Sequence, residues 1–192
     1  MADARAEILE GLNVFRALEA WGATLYAHWA TDEPDPELRT GHLIIAEREA
    51  NHARLLAERL RALGAEPSPA CVDEVLARQL VELKDVRGFV AQLDALKAVN
   101  ARDAGALAGC RRALDRGFAA AKDTDPETYA FWARLYSEEK VSGAWYRATY
   151  SVRSGKRAGA VPPPALSPEQ VLRRAESAAA TGGAPAACAV AD

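Results

Sequence analysis

Glu19, Glu49, His52, Asp103 and Glu139 are ligand-type side chains set inside otherwise apolar helical seams. The first seam reads Ile8, Leu12, Phe15, Glu19, Gly22, Tyr26, Trp29. The second reads Leu38, His42, Ile45, Glu49, His52, Leu56, Leu63. The third runs Leu93, Leu96, Asn100, Asp103, Leu107, Cys110, Leu114, and the fourth Tyr129, Trp132, Tyr136, Glu139, Gly143, Tyr146, Tyr150. Steps of three and four keep residues on one helix face, so all five polar groups point inward. A buried carboxylate without a partner is costly, and a bound cation is the simplest compensation.

Convergence of the five groups depends on register. Glu19 lies about 12 residues before the breaker Asp32-Glu33-Pro34-Asp35-Pro36, and Glu49 about 13 after it. At about 1.5 Å per residue the two stand at one height in an antiparallel pair. Asp103 and Glu139 match in the same way about the turn near Ala119. His52 lies one turn from Glu49 on its face.

The elements that must hold these residues are long helices. The first spans roughly 3–30. The second opens with Asp35 as cap and Pro36 at the first position, and stops at Gly64 with Pro67 and Pro69 beyond. A connection over about 65–87 carries a short helix near 72–83. A third long helix is expected over about 88–116, closed by Gly117. A fourth, with Asp125 as cap and Pro126 first, runs to about 152. No period-two pattern competes. The fold expected is all-α: an antiparallel four-helix bundle with one long crossover over residues 1–153. From 154 to 192 Gly, Ala, Pro and Ser dominate, and a mostly disordered tail is expected. Within it Ser167, Pro168, Glu169 and Gln170 form a capping-box start for one weak helix.

Residues 44–64, Ile-Ile-Ala-Glu-Arg-Glu-Ala-Asn-His-Ala-Arg-Leu-Leu-Ala-Glu-Arg-Leu-Arg-Ala-Leu-Gly, closely resemble the second helix of the ferritin-like superfamily, rubrerythrin-like small domains in particular. The resemblance covers roughly 5–153. It implies Glu on helix one, Glu-x-x-His on helix two, Glu on helix three and Glu-x-x-His on helix four, together holding two iron or manganese ions. Glu19, Glu49, His52 and Glu139 match that pattern. Asp103 stands in for the third-helix Glu, one methylene shorter, and Ser142 replaces the fourth-helix His. A hydroxyl is a poor ligand where imidazole or carboxylate is wanted. Three outcomes follow: two ions with water or substrate filling the gap, one ion on Glu19, Glu49 and His52, or no ion and a reused bundle.

Helix four is rich in aromatics. Core packing and a dimer face account for them; alternatively Tyr136 or Tyr146 beside Glu139 lines a substrate pocket as hydrogen donor or redox group. His42, two turns from Glu49, is too far to share its ion and reads as a partly exposed structural histidine. His28 near the end of helix one suits the helix dipole.

The formal charge is −3 with no Lys/Arg stripe, which excludes a nucleic-acid footprint. No stretch is long and apolar enough for a membrane span, and the N-terminus carries no apolar signal core, so a cytoplasmic protein is expected. Three cysteines without a spacing pattern argue against a disulfide framework or zinc site. The function classes left open are three. One is a non-haem iron or manganese oxidoreductase using dioxygen or peroxide on a small molecule. Another is a metal-free enzyme or binding protein that uses its buried carboxylates for acid–base work. The last is an assembly module. A homodimer through a helix face is expected.

Overall fold

A computed structural model describes residues 4–180, all of whose regular structure is helical. α1 (Ala4–Thr31) and α2 (Pro36–Ala62) form the first hairpin. Its turn is fixed by Asp35, whose Oδ1 accepts from the N–H of Glu37 at 2.9 Å and of Leu38 at 3.3 Å. α2 stops at Gly64, whose φ of +74° only glycine adopts readily. The N–H groups of Gly64 and Ala65 then donate to Arg61 O and Leu60 O, satisfying the last carbonyls of the helix.

The crossover returns over α1. Asn13 Nδ2 donates to Ser68 O at 2.8 Å, and Ser68 N–H donates to Asn13 Oδ1 at 3.2 Å. It contains α3 (Asp73–Leu83), where Leu83 O accepts from the buried Trp29 indole at 2.8 Å. The second half comprises α4 (Phe89–Arg102), α5 (Ala104–Thr124) and α6 (Pro126–Arg153), with Asp125 capping α6. α1 packs most extensively on α2 and α5.

The third long helix differs from its expectation. It is broken at Asp103 into α4 and α5, and α5 continues past Gly117 to Thr124. Gly117 is interior because α1 crosses there: a Cβ at 117 would stand 2.7 Å from Glu7 O and 3.1 Å from Gly11 Cα.

Two apolar clusters fill the bundle at opposite ends. One gathers Leu25, Trp29, Leu38, Ile45, Phe89 and Trp145. The other gathers Leu12, Phe15, Leu56, Leu60, Trp132 and Leu135. Along α1, α2 and α6 the residues between these clusters include Glu19, Glu49, His52 and Glu139, so the polar group forms a layer in mid-bundle. A third cluster, with Val14, Val72, Leu76, Cys110 and Ala113, seats α3 and α5 against α1.

Beyond α6, the part of the tail that is described lies against the bundle. Ser167 and Gln170 cap α7 (Pro168–Ala180) reciprocally: Gln170 N–H donates to Ser167 Oγ at 3.3 Å and Ser167 N–H donates to Gln170 Oε1 at 2.9 Å. The Gln170 amide is buried and donates to Ile44 O of α2 at 2.7 Å. The disorder expected of the tail thus does not extend over 154–180, and the rest of that expectation lies outside the described residues.

Candidate metal centre

The layer is organised around His52, which is fully buried on α2. Its Nδ1 lies 3.0 Å from Glu19 Oε2 and 3.2 Å from Glu139 Oε1. On its other side Nε2 lies 3.0 Å from Glu138 Oε2. Glu19, His52 and Glu139 each offer a ligand atom within 4.8 Å of the others. Glu49 is buried beside them, with its Oε2 against α1 at Gly22, where a Cβ would approach to 2.6 Å. α1, α2 and α6 therefore converge at the level that their register implies.

The electrostatics match a site built for positive charge. Burial raises the Glu19 carboxyl well above its ordinary range, and the neighbouring Glu139 raises it further. Burial does the same to Glu49, with Glu19 and Glu139 adding to the effect. Burial alone would lower His52, but its contacts with Glu139 and Glu138 outweigh that and raise it. Glu139 Oε1 is buried with no hydrogen-bond partner of suitable geometry. The layer thus holds several carboxylates against one imidazole, with one acceptor left over. The donor set is one imidazole nitrogen and carboxylate oxygens, which suits a first-row divalent ion. Glu138 completes the fit. Its carboxylate faces Nε2 while Nδ1 faces Glu19 and Glu139, the arrangement in which an outer carboxylate orients a ligating histidine.

One sequence candidate stands elsewhere. Asp103 accepts from Arg102, Arg78 and Gln79 at 2.8–3.0 Å, and these partners, Arg102 and Gln79 foremost, hold its carboxyl well below the usual range. Its partners lie on α3 and α4, because the chain breaks at 103 and turns the side chain to the crossover helix. Asp103 is not among the residues brought together around His52. Tyr136 packs among Phe15, Trp132 and Phe118, with ring centroids 5.1 Å from Phe15 and 5.4 Å from Phe118.

Tyr146 is closer to the layer. It is half-buried, and its hydroxyl lies 3.1 Å from His42 Nδ1. Burial raises its phenol well above the ordinary value, with Tyr26, Glu49 and Glu139 adding to the effect. His42 is fully buried rather than partly exposed, among Trp29, Phe89, Trp145 and Tyr146, and burial lowers it to about 4.

The gap expected at Ser142 is closed. Ser142 is buried and its Oγ accepts from Arg48 Nη1 at 2.7 Å. Arg48 is itself buried, and its Nη2 donates to Ala165 O at 2.5 Å. A hydroxyl held by a guanidinium, in the place that the resemblance gives to a second imidazole, is no ligand. Glu138 and Arg48, which the ligand pattern does not include, are the neighbours that contact His52 and Ser142. Each had a signal: Glu138 precedes Ser142 by four and Trp145 by seven, and Arg48 is midway between Ile44 and His52 at steps of four.

Glu139 is the most exposed of the carboxylates that touch His52, at 28% for its side chain. It lines an open groove of about 530 Å³ with Phe118, Ala133, Tyr136, Lys140 and Arg147. The groove connects solvent to the edge of the layer.

Fold and site together define an all-helical bundle with a candidate carboxylate–histidine metal centre. Over 82 residues the chain is 35% identical to a bacterioferritin from Desulfovibrio desulfuricans (strain ATCC 27774 / DSM 6949 / MB), a stretch covering 41% of this chain and 46% of that protein. The chain thus spans about half the length of this relative. The similarity supports a ferritin-like relationship. No family model and no solved structure matches. Among the described residues, no helix is long and apolar enough to cross a membrane.

Proposed function

We propose that this chain is a rubrerythrin-like, iron- or manganese-dependent oxidoreductase that holds one metal ion per chain and acts on a small molecule with dioxygen or peroxide. The single observation that carries this reading is the grouping of Glu19, His52 and Glu139 around one point, with Glu138 fixing the histidine from behind. The bacterioferritin similarity favours iron. A metal bound by these residues would supply Lewis-acid and redox chemistry. One ion rather than two is favoured by Ser142 being taken up by Arg48 and Asp103 by Arg78, Gln79 and Arg102.

The chain's own groups have separable tasks. Glu19, His52 and Glu139 hold the ion, and Glu138 orients His52. Glu49, whose carboxyl burial and the neighbouring Glu19 and Glu139 raise, lies beside them as a further carboxylate for positive charge entering the layer. Tyr26 and Tyr146 wall the layer from the apolar end of the bundle. The groove at Glu139 admits substrate, and Lys140 and Arg147 at its edge favour an anionic one. In the same reading the protein works in the cytoplasm as a homodimer through a helix face.

A second reading has support in the raised carboxyls of Glu19 and Glu49. Acids kept neutral by burial can serve proton transfer without a metal. Anaerobic titration of the chelator-treated protein with ferrous iron, followed by dialysis and metal analysis, separates the two. We expect about one ion per chain, lost in His52→Ala with helicity retained. A folded wild-type protein that binds no ion returns the site to the acid–base reading.

A further inference from the structure

Away from the polar layer, two thiols meet. Cys71, in the crossover just before α3, and Cys110, on α5, are both free, and their sulfurs lie 2.8 Å apart. Their surroundings differ. Cys71 is exposed, whereas Cys110 is 4% exposed and packs in the cluster of Val14, Val72, Leu76 and Ala113. From the structure we infer that Cys71 and Cys110 form a redox-active thiol pair, a modification site at which peroxide closes a disulfide between the crossover and α5.

The geometry needs little change. A disulfide requires its sulfurs at about 2.05 Å, so a movement of less than about 1 Å completes the bond. The asymmetry assigns the order of events. Burial, and then the adjoining Cys71 sulfur, push the Cys110 thiol up to about 12, so it is not the group that meets oxidant first. Cys71, open to solvent, attacks one oxygen of hydrogen peroxide as its own proton is lost. The O–O bond breaks, and the leaving hydroxide takes up a proton and departs as water. The Cys71 sulfenic acid is then attacked by the Cys110 sulfur. The S–O bond breaks, the Cys110 proton goes to the leaving hydroxide, and a second water departs. In sum, two thiols and one peroxide give one disulfide and two waters.

The bond has a structural consequence. The two residues are 39 positions apart, and the loop between them contains α3, α4 and the start of α5. A cross-link over that length constrains the unfolded chain strongly. It would also pin the crossover, which reaches α1 through Ser68, to α5, which packs on α1 beside it.

The test uses the full chain, treated with chelator and then with one equivalent of hydrogen peroxide, alkylated and mapped by peptide mass spectrometry. The expected product is a peptide pair joined through Cys71 and Cys110, two hydrogens lighter than the sum, with Cys188 alkylated. Thermal unfolding of the treated protein should rise by several degrees and fall back with dithiothreitol, and Cys188→Ser should behave alike. In Cys110→Ser the rise should vanish. The inference is overturned if Cys71 and Cys110 both remain alkylatable, if Cys71 pairs with Cys188, or if Cys71 ends as sulfinic acid with Cys110 still reduced.

Discussion

At the scale of residues, the layer around His52 is costly without a cation, and that cost has a sign that pH exposes. The folded-state carboxyls of Glu19 and Glu49 lie above the ordinary value of 4.5 that they would have unfolded. A group raised on folding contributes stability that is complete below its unfolded value and is lost as pH rises through its folded value. His52, raised above 6.5, behaves the same way. His42 runs oppositely: lowered to about 4, it contributes above pH 6.5 and loses that contribution as pH falls toward 4. The layer is therefore isolated by difference. In metal-free protein Glu49→Gln should raise stability by about 1–3 kcal/mol at pH 8, the ordinary cost of an uncompensated buried polar group, and do nothing at pH 4.5. Thermal unfolding of both forms across that range checks it; equal curves would mean that Glu49 carries no charge cost. With ferrous iron the order should reverse. At about 100 times its dissociation constant the ion should stabilise wild type by about 2.7 kcal/mol and the variant by much less.

Elements set where those residues can meet, and the contact of α1 with α5 sets the tightest limit. Gly11 and Gly117 face each other, and a Cβ at 117 would meet backbone, Glu7 O at 2.7 Å, which cannot swing aside as a side-chain tip would. Gly117→Ala should cost about 1–3 kcal/mol through separation of the two helices. Chemical denaturation measures it, and an unchanged midpoint would show that the crossing yields freely. The same glycine marks how far the sequence could be read. As a helix breaker after a seam it looked like an end, yet its meaning lies in what crosses it, and nothing near 117 in sequence says that. Breakers with local chemistry were legible: Asp35-Pro36, Gly64 and Asp125-Pro126 stand where they were expected because each satisfies its own helix end. Glu19, His52 and Glu139 were legible because register along straight helices is arithmetic. Asp103 was not, since its inward phase assumed an unbroken helix, whereas Arg78 and Gln79 of another helix take its carboxylate. Ser142 reads as a gap in the sequence because Arg48, 94 positions away, fills it only in three dimensions.

For the whole molecule, the question is whether the chain beyond α6 belongs to the folded unit. Its composition suggests that it does not. Its contacts indicate that it does, and they run through one buried cation. Arg48 bonds the bundle at Ser142 with one nitrogen and the tail at Ala165 with another, while its Nε has no partner. One turn earlier on α2, Gln170 covers Ile44 O, and on the surface Arg174 pairs with Glu47 at 2.7 Å. Removing the tail after Gly155 would return Arg48 to water, so its charge would be hydrated rather than stranded. What is lost is the dry contact of tail with α2 and α6. Truncation should therefore lower the unfolding temperature by several degrees while leaving metal stoichiometry unchanged, because Glu19, His52 and Glu139 receive nothing from the tail. Arg48→Met should destabilise the full chain too, but the two changes share a partner and so should not add. A coupling of about 0.5–3 kcal/mol in the double-variant cycle is the expected size for groups in direct contact. Strict additivity would mean that the tail is held by α7 alone and that Arg48 serves only Ser142. An unchanged unfolding temperature on truncation would mean that 156–180 lies outside the cooperative unit.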